Sequence, residues 1–220
     1  MPSSMTYNSL IADIQSYIER GTSVDTEVYA QLPKLVNLAE RAIATDLKIL
    51  GFLNVVTTDL VLNTSVYAKP DRWRGTVSMN FGTANSSTDP TKNTRVSLFP
   101  RSYEYCRNYW PNSAAVDTPE FYADYDYSHW LIVPTPADTY PLEILYYQQP
   151  PYLDTTNQTN WLTDYEPNLL LYRCLLEAAP YLKNDERIPV WRQMYEERKA
   201  AANGQDLQRI LDRTSTRQET

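Results

Sequence analysis

Apolar residues recur along this chain with two different periods, and the change of period divides it. Leu10, Ile11, Ile14, Tyr17 and Ile18 return at helical spacing, with Thr6 or Asn8 placed to cap the start and Gly21 to end the segment. Leu35, Leu38, Ala39, Ala42, Ile43 and Leu47 predict a second helix. Pro33 is tolerable near its first turn, where a missing N–H is not needed, and Lys34, Asn37, Arg41 and Lys48 form the side that meets water or a partner. From about Leu53 to Gln148 the texture becomes short runs of Val, Thr, Tyr and Leu broken by turn residues. That texture predicts antiparallel β structure, with strands over 54–62, 76–79, 94–99, 130–133 and 142–147. Inside it, residues 101–110 predict a short helix capped by Ser102, with Tyr105 and Tyr109 on one face. Residues 81–93, FGTANSSTDPTKN, read as a long loop, and 111–126 as irregular chain.

The helical period then returns. Asp164 or Thr163 can cap a start with Pro167 in the first turn, after which Leu170, Leu171, Cys174, Leu175 and Ala178 form an apolar stripe. Pro180 is expected to end or kink that helix, because an interior proline costs ~3 kcal/mol or more. A final helix is expected from Asp185 or Pro189, with Val190, Trp191, Met194 and Tyr195 on one side, until Asn203-Gly204 loosens it. From Gln205 onward Leu207, Ile210 and Leu211 stand among alternating charges, the character of a tail that is mobile alone in water. The expected fold is therefore α+β: a helical bundle built from N- and C-terminal helices, an inserted antiparallel β domain, and an extended C-terminal tail. The boundaries read as 1–52 and 151–204 for the bundle helices, 53–150 for the β domain and 205–220 for the tail.

Composition narrows what such a chain can do. Its 220 residues suffice for a sizeable core. Cys106 and Cys174 show neither pairing nor metal-like spacing. No stretch approaches the roughly 20 apolar residues of a membrane span, and residues 1–20 lack a basic start followed by an apolar run, so a soluble protein without classical export is expected. A net charge of -7 and a pI near 4.8 argue against wrapping nucleic acid by neutralising phosphates. Eighteen tyrosines against five glycines and one histidine suit partly wet surfaces such as subunit interfaces, or else a tyrosine-rich sheet.

Catalytic constellations are sparse. His129 sits beside Asp124, Asp126 and Ser128, but adjacent residues on a strand point to opposite faces, so Ser128 and His129 are not expected to pair as nucleophile and base. No CxxC, HExxH, EF-hand or phosphate-cradling glycine motif occurs; no metal or other cofactor is expected, and none of the residues reads as catalytic. Asp117, Glu120, Asp124 and Asp126 form an acidic run that could gather round a hard cation or be a solvated face. Tyr103, Tyr105, Tyr109, Trp110, Tyr122, Tyr125, Tyr127 and Trp130 could stack on sugars, which keeps an aromatic-rich carbohydrate-binding β module as an alternative.

The run YEPNLLLYRCLLEAAPYLKNDERIPVWRQMYEERKAAA, residues 165–202, resembles the closing helical segment of the head-to-tail adaptor, or connector, proteins of short-tailed bacteriophages. The matching residues are the EAAPYLK turn from Glu177 to Lys183, the DER from Asp185 to Arg187, and Trp191 with Tyr195; 32–48 is also similar, whereas the β section departs from the family. The motif reads as packing: the alanines allow close helix approach, Pro180 forces a corner, and Trp191 with Tyr195 wedges the bundle.

The resemblance implies a non-enzymatic virion protein at the head–tail interface, assembled in the host cytoplasm. It implies a homo-oligomeric ring, a dodecamer in the family, seated between the portal protein and the tail nozzle protein, with phage DNA passing through without specific binding. It also implies that the C-terminal tail reaches onto the portal, with Leu207, Ile210 and Leu211 as apolar anchors and Arg209, Arg213 and Arg217 facing portal carboxylates. The β domain is then expected to meet the tail component through 82–93 or 112–126. A neck protein of a long-tailed phage is the alternative within the same class.

Overall fold

The computed structural model describes residues 5–19, 26–82, 94–182 and 186–215, without the side chains of Leu182 and of 206–215. Gly21, Asp185, Arg217 and positions 83–93 of the expected loop lie outside the described residues. In chain order the elements are α1 (Tyr7–Ile18), α2 (Thr26–Asp46), a 3-10 turn (Leu50–Phe52), β1 (Leu53–Leu60), β2 (Val66–Ala68), β3 (Trp73–Gly82), β4 (Arg95–Pro100), α3 (Tyr103–Tyr109), β5 (Val116–Asp117), β6 (Phe121–Asp124), β7 (His129–Val133), β8 (Thr135–Pro136), β9 (Tyr140–Gln148), α4 (Trp161–Tyr165), α5 (Pro167–Leu182) and α6 (Ile188–Ser215). They form two compact units, Leu53–Gln148 and the combination of Met1–Phe52 with Gln149–Thr220.

In the helical unit, α1 starts at a capping box: the Ser9 N–H donates to Thr6 Oγ1 while the Thr6 N–H donates to Ser9 Oγ. Its end is set by Glu19 in a left-handed conformation (φ 54°). Leu10, Ile14 and Ile18 are buried, as the helical spacing predicts. α2 is longer than its apolar pattern implied and holds Pro33 in its interior rather than in its first turn. Leu38, expected on the apolar stripe, is exposed, while Glu40 on the core side is buried. The α5 helix contacts α1, α2, α4 and α6 and so lies at the centre of the unit.

Three expectations about the C-terminal helices need correction. The start expected at Asp164 or Thr163 is split: both residues lie inside a separate short helix, α4, capped by Asn160, whose Oδ1 accepts the N–H groups of Leu162 and Thr163, and the striped helix α5 begins only at Pro167. Pro180 does not stop α5, which runs two residues further to Leu182; near a helix end one missing backbone bond matters less than in mid-helix. The described part of the expected tail, 205–215, is not extended: α6 continues through Asn203-Gly204 to Ser215. A glycine costs a helix only ~1 kcal/mol, and the Ala, Gln, Leu and Arg residues on either side are strong helix formers.

The second unit holds a seven-stranded sheet in the order β1-β9-β3-β4-β6-β7-β2. Its two edge strands, β1 and β2, are neighbours in sequence, joined by residues 61–65 alone, so the sheet has to curl until its edges approach. Tyr67 of β2 closes the gap: its hydroxyl lies 2.9 Å from the Val61 N–H, which donates to it, and 2.8 Å from the Thr64 carbonyl, to which it donates. Two register shifts of β3 against β9, around Gly75 and between Thr76 and Ser78, supply the curvature, as bulges do.

The interior is filled from every strand of the curl: Leu60, Tyr67, Met79, Phe81, Leu98, Tyr122, Trp130, Ile132, Tyr140, Leu142, Ile144 and Tyr146. All five expected strands are present, with shifted ends. The stretch 111–126 is not irregular, since it contains β5 and β6, and the unit is not purely antiparallel: β4 pairs β6 in parallel within the seven-stranded sheet, and β5 pairs β8 in parallel as a separate two-stranded sheet. These missed strands are two to four residues long, too short to show an alternating pattern.

Candidate interaction surface

The outer face of β6 and β7 carries α3. Ser102 caps that helix by accepting the Tyr105 N–H at 3.2 Å. Cys106 points down onto Ala123, Leu131 and Val133, and β7 is therefore buried on both faces, which explains its unbroken apolar run. With Cys106 beneath, helical spacing throws the ring-bearing residues to the two flanks.

On one flank Tyr105 and Tyr109 stack at 6.0 Å with their planes 7° apart, and both meet Phe121 edge-on. The Arg101 guanidinium lies over Tyr105 and Phe121 at 5.5 and 5.4 Å. Phe99, opposite Phe121 in the β4–β6 register, is 57% exposed. On the other flank the Arg107 guanidinium lies between Tyr103 and Tyr125. Among the described residues neither arginine has a carboxylate within ion-pair distance. The Tyr109 hydroxyl donates to Glu120 Oε2 at 2.9 Å, and this bond is the main reason its pKa lies above the usual tyrosine value. Of the aromatics that could have stacked on sugars, Tyr122 and Trp130 are buried in the curl and unavailable.

The environment of His129 corrects one expectation. Ser128 precedes the strand, in a bend, so its side chain is free to turn toward its neighbour, and Ser128 Oγ lies 3.1 Å from His129 Nδ1. Asp126 reaches the same nitrogen at 2.9 Å and Ser128 Oγ at 3.0 Å. A relay from nucleophile to base to carboxylate uses both ring nitrogens; here both partners crowd one, in an exposed bend. Burial acts to raise the Asp126 pKa, but the hydrogen bonds from the Ser128 backbone, His129 and Ser128 Oγ outweigh it and lower the value. The rest of the acidic run is dispersed. Asp124 pairs with Lys69 at 2.6 Å, Glu120 with Tyr109, and Asp117 with the backbone of Thr118. Among the described residues no group of three or more potential ligands comes together.

In the helical unit Trp191 and Tyr195 are buried on α6, whereas Val190 and Met194 beside them are exposed. Tyr195 donates to Asp46 Oδ2 at 2.9 Å, and Lys199 approaches the same oxygen at 3.4 Å. The Arg187 guanidinium lies 5.3 Å over Trp191 and donates to the Tyr17 carbonyl, joining the start of α6 to the end of α1. Pro180 occupies the last turn of α5. Leu207, Arg209, Ile210, Leu211 and Arg213 fall on the backbone of the last turns of α6, with side chains outside the description. Sequence reasoning missed Arg101 and Arg107, because only the fold brings rings from α3, β6 and the β6–β7 bend around each guanidinium.

A groove of about 230 Å³ on the β unit is lined by Thr57, Asp59, Asn80, Arg95 and Glu143 among others, with Arg95 paired to Glu143. No helix among the described residues is long and apolar enough to cross a membrane. The family model of the SU10 adaptor protein matches residues 5–219, and the chain belongs to that family of phage adaptor proteins. No curated protein matches it.

Proposed function

We propose that this chain is a structural, non-enzymatic virion protein that forms the ring between the portal and the tail nozzle of a short-tailed phage, a conduit through which the genome leaves the head. The observation that carries the reading is the match to an adaptor family over nearly the whole chain, joined to the EAAPYLK–DER–Trp191 segment. Twelve copies around the channel is the number the family resemblance implies. An acidic chain of net charge -7 suits a wall that DNA passes without sticking.

The portal contact is assigned to the end of α6. Leu207, Ile210 and Leu211 are spaced as one apolar stripe on a helix, and Arg209, Arg213 and Arg217 supply cations for portal carboxylates. The β unit is assigned to the nozzle side, through 82–93 or 112–126. Light scattering coupled to size exclusion, on the purified protein alone and mixed with the portal, tests the ring. A complex of many copies with the portal is expected; a monomer in both samples refutes the reading. Deleting 205–220 should abolish portal binding while the circular dichroism of the rest persists, and a truncated protein that docks normally refutes the portal assignment.

A further inference from the structure

Identical copies of an acidic chain repel, and any interface between them has to set cations of one copy against carboxylates of the next. The sequence holds 27 acidic residues against 20 basic. Within the β unit, Lys69 and Arg95 are already committed to Asp124 and Glu143. Arg101 is not: its guanidinium rests on two rings, and among the described residues its only side-chain hydrogen bond is a long one, 3.5 Å, to the carbonyl of Pro100. The two rings stand 84° apart in plane, and contacts of this kind leave most of the guanidinium N–H donors unspent for a carboxylate.

Around that cation Phe99, Tyr105 and Tyr109 are 57%, 42% and 41% exposed. Together these rings show on the order of 300 Å² to water. A standard interface buries ~800 Å² per partner, so this flank has the size and composition of an interface centre, where Tyr and Arg concentrate the binding energy. A carboxylate-bearing surface complements this cation, and the acidic chain itself brings such carboxylates on every copy. We infer that the Phe99, Arg101, Tyr105 and Tyr109 flank of α3 seats an acidic surface of a second copy of this chain, one of the two unlike faces that a closing ring requires. The inference rests on the ring reading above.

The test uses full-length purified protein carrying a photo-crosslinking benzoylphenylalanine in place of Tyr105, assembled with and without portal. Illumination should give a product of twice the chain mass. Arg101→Glu should weaken self-association by at least roughly tenfold with an unchanged melting curve, and Arg101→Lys should weaken it less. Crosslinks to the portal alone, or none in a protein that does assemble, overturn the inference and leave the ring standing. A parent protein that never self-associates takes down both. Normal assembly of a folded Arg101→Glu variant overturns the inference by itself.

Discussion

Glu40 gives the helical unit a pH dependence that can be worked out from its surroundings. It lies on the core side of α2 with 1% of its surface exposed. Its carboxylate accepts the Leu153 N–H at 3.2 Å and the Asn160 side-chain amide at 2.7 Å, so it ties the segment before α4 to α2. Burial raises its pKa, the bonds from Leu153 and Asn160 pull it back, Asp154 pushes it up again, and the result is about 7 against an ordinary 4.5. Below pH 4.5 both folded and unfolded chains hold the proton and this contribution to stability is complete. Between 4.5 and about 7 the unfolded chain releases the proton while the folded chain keeps it, so stability falls as pH rises. Above 7 both are ionised and the loss levels off. At ~1.4 kcal/mol per pH unit the whole fall is about 3 kcal/mol. In Glu40→Gln the amide oxygen can still accept from Asn160, and the charge is gone. Urea unfolding followed by helical circular dichroism at pH 4, 6 and 8 should show the variant near wild type at pH 4. It should be more stable than wild type by about 1–3 kcal/mol at pH 8. Contributions that do not involve Glu40 are common to both proteins and drop out of the difference. A difference that stays flat from pH 4 to 8 refutes the argument.

Three further outcomes follow from single contacts. A Cβ on Gly51 would come within 2.1 Å of the Trp161 indole, so Gly51→Ala should lower stability by about 1–3 kcal/mol, read as a lower urea midpoint; an unchanged midpoint would mean the ring moves aside freely. Tyr67→Phe removes the hydroxyl that serves Val61 and Thr64 across the open edge of the curl. Amide exchange at Val61 should quicken by roughly tenfold or more, the equivalent of ~1–3 kcal/mol for a group left unpaired, while exchange in β9 stays slow. His129→Ala should leave stability within about 0.5 kcal/mol, because the ring sits in an exposed bend and serves only local partners; a larger loss in a melting curve would show that the bend holds the sheet.

Several helices are legible in the sequence: α1, the later part of α2, α3 with its Ser102 cap, and the buried Trp191 and Tyr195 of α6 all follow from spacing. The failures share a cause, that position along a helix or strand was inferred from one residue's preference. Pro33 and Pro180 have the local preference of helix-boundary residues, yet each sits inside a helix whose remaining bonds and packing outweigh one missing donor. Gly204 was read as a break and is spanned in the same way. β5, β6 and β8 could not be found because two to four residues show no period, and their partners are set by the curl of the sheet. Of the interaction surface, the facing of Tyr105 and Tyr109 was legible, since it needs only helical geometry. The seat of Arg101 was not, since Phe121 arrives from another strand.

That surface also gives a physical reason for the tyrosine content. Before assembly an adaptor has to keep its joining faces wet without aggregating, and afterwards it has to bury them. Phenylalanine or leucine serves the second state at the expense of the first. Tyrosine serves both where its hydroxyl has a role in each, and the tyrosines here divide accordingly. Tyr67 and Tyr195 are covered, with their hydroxyls spent on Val61, Thr64 and Asp46. Tyr105 and Tyr127 hold their rings at the surface. Phe99 is the exception, the most exposed phenylalanine of the β unit and without a polar tip. A residue that gains nothing from water at 57% exposure marks the point where covering the surface yields the most, and it lies in the strand register directly beside the ring on which Arg101 rests.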